Sequence, residues 1–154
     1  MKKGYQIYLL FTVLFGYALT VLPAQSNELV DRLVEQERAT YGLASYMIMS
    51  STGELPEEAD VEDALERVSA QGWGVSVPEA SEPIRLGEYS HLIMMALDIE
   101  GGIMYRIFPG GRYAARELKY LDIIPTESAP RRQLSGNEAL LILRRAVEWK
   151  EERS

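Results

Sequence analysis

Ile84-Arg85-Leu86-Gly87-Glu88-Tyr89-Ser90-His91-Leu92-Ile93-Met94 and Leu134-Ser135-Gly136-Asn137-Glu138-Ala139 are the stretches whose reading decides the fold. They lie fifty residues apart. Without a gap, Ile84, Glu88, Leu92, Ile93, Ala96 and Leu97 fall on Leu134, Glu138, Ile142, Leu143, Ala146 and Val147. Upstream, Val61, Ala64, Leu65 and Val68 fall on Gly111, Ala114, Ala115 and Leu118. What repeats is an apolar pattern rather than identity. Periods of this size signal stacked helical units sharing one core.

Each unit reads as helix, turn, loop, helix. Asp60 is placed to cap a helix through about Gln71, whose Val61, Ala64, Leu65 and Val68 share one face. Gly72 ends it, because glycine enters the left-handed region at little cost. A second helix is expected from Leu86 to Ile99, stopped by Gly101-Gly102. In the next unit the helices are expected over Arg112 to Leu121 and from Ser135 to about Glu151. Ser135 and Glu138 have capping-box spacing. Thr40 to Met49 resembles Arg85 to Met94, which adds half a unit before the others, extended backwards by Leu29, Val30, Leu33 and Val34. The reading is all-α: a half unit over 27–56, a unit over 57–102, and a connector with a second unit over 103–154.

The repeat resembles the S-layer homology family, whose helical units carry an Ile-Thr-Arg-Ala-Glu-Phe stretch and a Gly-Ile-Ile turn. The matching stretches are Ile84 to Tyr89 and Leu134 to Ala139, with Gly72-Trp73-Gly74 and Asp122-Ile123-Ile124 at the turn. The likeness covers roughly residues 40–149. It implies a non-enzymatic module that holds proteins to anionic envelope polymers outside the membrane. The family's signature arginine is Leu86 in one unit and Gly136 in the other. The resemblance therefore carries the scaffold better than the ligand contact.

Lys2 and Lys3, the apolar run Tyr5 to Leu22, and Pro23-Ala24-Gln25-Ser26 have the layout of a secretory signal over residues 1–26. The expected place of work is extracytoplasmic, in the periplasm or cell envelope. Any membrane contact is expected only through that segment, if it stays uncleaved. With no cysteine in the chain, disulfides, thiol chemistry and lipid attachment to cysteine are excluded.

The chain carries a net charge of −7, unevenly spread. Residues 27–100 hold 4 basic and 16 acidic groups, whereas residues 101–154 hold 10 and 7. The basic half suits an anionic partner; two halves attracting one another is the plainer reading. Arg112, Arg116, Arg131 and Arg132 are the expected ligand contacts, through bidentate guanidinium bonds to carboxylate or phosphate. Nucleic acid is not expected, given export and overall acidity.

The connector Ile103-Met104-Tyr105-Arg106-Ile107-Phe108 is too apolar for an ordinary loop. It is expected to form a short helix plugging the core; otherwise Tyr105 and Phe108 belong to a patch for a partner. Gly110-Gly111 stand before a helix and could admit an anion, although no nucleotide-loop motif follows.

His91 is the single histidine and fits the edge of a packed helix. The acidic run from Glu54 to Glu66 lacks the spacing of a calcium loop. No metal and no cofactor are expected. The anticipated partner is an envelope polymer or another exported protein. The alternatives are a subunit of a larger envelope assembly and a small hydrolase using Glu88 and Glu138.

Overall fold

The computed structural model describes residues 24–56, 58–76, 78–125 and 129–153. The expected signal segment lies outside them up to residue 23. Among the described residues seven helices follow in order: α1 (Ala24–Val34), α2 (Tyr41–Ser51), α3 (Val61–Ala70), α4 (Leu86–Ala96), α5 (Ile103–Ile107), α6 (Gly111–Tyr120) and α7 (Gly136–Glu151). Among the described residues there is no strand, so the expected all-α class holds. None of these helices is long and apolar enough to cross a membrane.

Three of the helices spring from one point. Ala39, Ile84 and Leu134 are buried, and each stands just before the N-cap of α2, α4 or α7. Ile84 N–H donates to Ala39 O at 2.9 Å, and Ala39 N–H donates to Leu134 O at 2.8 Å. Antiparallel bridges join Thr40 to Pro83 and Arg85 to Gln133. One step further on, the first helical residue of each repeats a single bond. Tyr41 N–H donates to Glu82 O, Leu86 N–H to Arg132 O and Gly136 N–H to Gln36 O, at 2.8, 2.9 and 3.0 Å. Buried backbone donors that precede a helix need such partners, and here each segment satisfies the next around a triangle.

The helix ends recur as well. Gly53 and Asp98, 45 residues apart, have φ of 71° and 48°. They close α2 and α4 through Glu54 N–H to Met49 O and Ile99 N–H to Met94 O. Gly72 and Asp122, 50 residues apart, take φ of 67° and 59° after α3 and α6. Asp98 therefore corrects one expectation: α4 stops at Ala96, before Gly101-Gly102, because an aspartate occupies the left-handed cap. The backward extension of the half unit is a separate helix, α1, because the chain is broken over residues 35–40.

Packing pairs α2 with α3 and α4 with α6 most closely, while α1 lies on α7. These pairs join elements on either side of the 56/57 and 102/103 boundaries read from the sequence. Small residues allow the intimacy: Ala114 and Ala115 of α6 are fully buried. The common core gathers Leu33, Ile48, Leu86, Tyr89, Leu92, Ile93, Leu118, Ile123 and Ile142. Trp73 folds back and packs partly buried against it.

The connector divides between its two expected fates. It is helical, as α5, but only Tyr105 enters the core, at 7% exposure. Ile103, Met104, Ile107 and Phe108 are exposed by 74, 47, 59 and 58%. Five residues give little more than one turn, which turns only one side chain inward while its neighbours face out.

Candidate functional site: an arginine-lined groove

A groove of about 560 Å³ opens where α4, α6 and the loop before α7 meet. Arg85, Glu88, Arg112 and Arg131 line it, with Gly87, Gly111 and Pro130. Its frame is backbone. Gly87 N–H donates to Pro130 O at 2.8 Å, laying the loop along the first turn of α4. A Cβ on Gly111 would stand 2.6 Å from the Gly87 carbonyl carbon, so the start of α6 crosses α4 at a contact that no side chain fits.

The polar groups differ in how firmly they are held. Glu88 Oε2 accepts the Arg85 N–H at 2.9 Å, which fixes the carboxylate at the start of α4. Burial, with the Glu88 charge beside it, holds the Tyr41 hydroxyl well above its ordinary pKa, so it stays a neutral donor. The guanidinium of Arg112 lies 5.8 Å from the centre of the Tyr113 ring. Tyr113 in turn stacks on Phe108 with centroids 6.4 Å apart and ring planes 27° apart. The basic groove and the exposed apolar residues of α5 are thus joined through one aromatic ring. Gly110 brings no side chain to cap α6, leaving the positive end of its dipole facing the arginines.

Of the residues singled out in the sequence, Arg112 and Arg131 come together here. Arg116 is exposed on α6 and does not line the groove. Arg132 turns back onto Glu138 as a two-pronged pair, one contact at 2.7 Å. Ser135 Oγ accepts the Glu138 N–H at 3.2 Å, which is the serine half of the expected capping box. Glu88 lines the groove and Glu138 does not.

Tyr105 is a core residue. Its hydroxyl meets His91 Nδ1 at 2.8 Å, while His91 Nε2 lies 3.3 Å from Trp73 O. A carbonyl can only accept, so Nε2 carries the proton and Nδ1 takes the tyrosine's hydrogen. Burial lowers the His91 pKa and pushes Tyr105 up to about 12. His91 thus clasps α5 and the Trp73 turn to α4.

Arg85 was not singled out by sequence reasoning. The signal that marks it is its place as N-cap, immediately outside the buried Leu86. The acidic run serves α3: Asp60 and Asp63 each accept the other's N–H, at 2.9 and 3.0 Å.

No protein-family model, curated protein or solved structure matches this chain.

Proposed function

We propose that this chain is an exported, non-catalytic anchoring module of S-layer-homology-like helical units. Its contact with an anionic envelope polymer is the groove of Arg85, Arg112 and Arg131. The convergence of three arginines from three separated stretches of chain carries this reading. Guanidinium groups bind carboxylate or phosphate through paired, charge-assisted bonds. Glu88, held at the groove's edge, suits a hydroxyl or amine donor on the same ligand, as a saccharide acid would offer. The recurring bonds at the starts of α2, α4 and α7 support a repeat origin. The Lys2 to Ser26 pattern supports export.

Co-sedimentation of the purified chain with cell-wall sacculi tests the reading. Arg112→Ala with Arg131→Ala should lower retention about tenfold or more, since each charge-assisted bond contributes roughly 1.5–3 kcal/mol. Added salt should weaken it too, because the arginines are exposed. Equal retention by wild type and variant would overturn it.

A second reading is favoured by one observation. Ile103, Met104, Ile107 and Phe108 are all exposed in one short stretch of chain, which suits a subunit of a larger envelope assembly. A melting temperature that rises with a co-purified partner's concentration would favour that reading.

A further inference from the structure

The arginine groove has a counterpart in the same chain. A second groove, of about 370 Å³, is lined by Thr40, Leu43, Val61, Glu62, Ala80 and Ser81, with Asp60 and Arg32 also present. Thr40 and Leu43 stand 45 residues before Arg85 and Glu88. Val61, Glu62, Ala80 and Ser81 stand 50 residues before Gly111, Arg112, Pro130 and Arg131. The backbone frame is the same. Gly42 N–H donates to Ala80 O at 2.9 Å, as Gly87 N–H donates to Pro130 O at 2.8 Å. The closest helix pairs are likewise α2 with α3 and α4 with α6.

The chemistry of the two grooves is opposed. Where the first has three arginines, the second has Thr40, Glu62 and Ser81. Gly110 leaves α6 without a side-chain cap, whereas Asp60 caps α3 and is capped in return by Asp63. The positive end of the α3 dipole is already answered by carboxylates of its own chain. The crossing is filled as well: Val61 Cγ1 lies 2.3 Å from where a Cβ on Gly42 would be, at the place that Gly111 leaves bare.

We infer that Glu62, with Thr40 and Ser81 standing where the first groove has arginines, closes this second groove to the anion that the arginine groove takes, so that the chain holds one such ligand rather than two. The inference rests on the anion-binding reading of the first groove. Glu62 acts by repulsion, which discriminates against a ligand as surely as a missing contact.

Calorimetric titration of the full chain distinguishes the possibilities. The probes are trigalacturonate for a carboxylated saccharide and a glycerol phosphate trimer for a phosphodiester. Wild type should take up one equivalent of one probe. T40R/E62R/S81R should take up two, and adding Arg112→Ala and Arg131→Ala to that variant should return it to one. Glu62→Arg alone, at an exposed helix position, is the second variant should the triple one not fold; it should gain weak binding at a second site. A wild type with two sites, or a well-folded triple variant that still has one, would overturn the inference and leave the first groove's role standing. No uptake by wild type or by either variant would overturn both.

Discussion

The hydroxyl of Tyr89 donates to the carbonyl of Ala139 at 2.8 Å, and both residues are buried. They stand 50 positions apart, on α4 and α7. The tyrosine thus ties α4 to the backbone of α7. Burial without a nearby charge pushes the Tyr89 hydroxyl far above its ordinary pKa, so it remains a donor. Tyr89→Phe should cost about 1 kcal/mol, the net worth of one buried neutral hydrogen bond. Tyr89→Ala should cost about 3–5 kcal/mol by leaving a cavity between α4 and α7. Urea unfolding of the two variants checks both figures.

Gly136 begins α7 against the end of α1. A Cβ there would lie 1.5 Å from the Leu33 carbonyl oxygen, a backbone atom with no freedom to turn aside. Alanine's better helix propensity is worth at most about 1 kcal/mol. Gly136→Ala should therefore destabilise by about 2 kcal/mol or more, and α1 should lose protection from hydrogen exchange before α4 does. A variant as stable as wild type would mean that α1 does not hold this position.

Ser45 and Ser90 occupy equivalent places, 45 residues apart in α2 and α4. Ser90 Oγ donates to Leu86 O at 2.7 Å, whereas the buried Ser45 Oγ has no partner among the described residues. Ser45→Ala should be neutral or stabilising by up to about 1 kcal/mol, because it removes a desolvated hydroxyl. Ser90→Ala should be neutral or destabilising by a similar amount. Thermal melts of the pair read the sign directly.

His91 links folding to pH. Its folded pKa is depressed below the ordinary 6.5 by burial, so the unfolded chain binds the proton more tightly. Stability should rise with pH through the window from the folded pKa up to about 6.5, and the His91 contribution should be complete above it. Acidification through that window should loosen α5 first, since Tyr105 is its buried anchor. A His91→Gln variant should show a flatter profile from about pH 5 to 7. An unchanged slope would place the linkage elsewhere.

Phe108 is exposed and stacks on Tyr113. Phe108→Ser should change stability by less than about 0.5 kcal/mol, as surface substitutions do. It should nonetheless lower retention by an envelope partner if that partner covers α5. Comparing the melt with the retention assay separates the two effects.

What was legible in the sequence was local. Apolar spacing located α3, α4, α6 and α7, because one buried face leaves a 3.6-residue trace. Ser135, Asp60 and Gly72 could be assigned as caps because a cap depends on its own few neighbours. The charge division and the arginine-rich half were readable for the same reason. The tertiary structure alone decided which arginines meet. Arg131 and Arg132 are neighbours in the chain, yet one lines the groove and the other pairs with Glu138, since adjacent side chains diverge. Arg85 joins Arg112 and Arg131 only because Gly87 and Gly111 let two backbones touch, and that contact spans 24 positions of chain. Likewise an apolar connector could be read as helical from its composition. How much of it one helical turn could bury depended on the space that α4 and the Trp73 turn left for Tyr105.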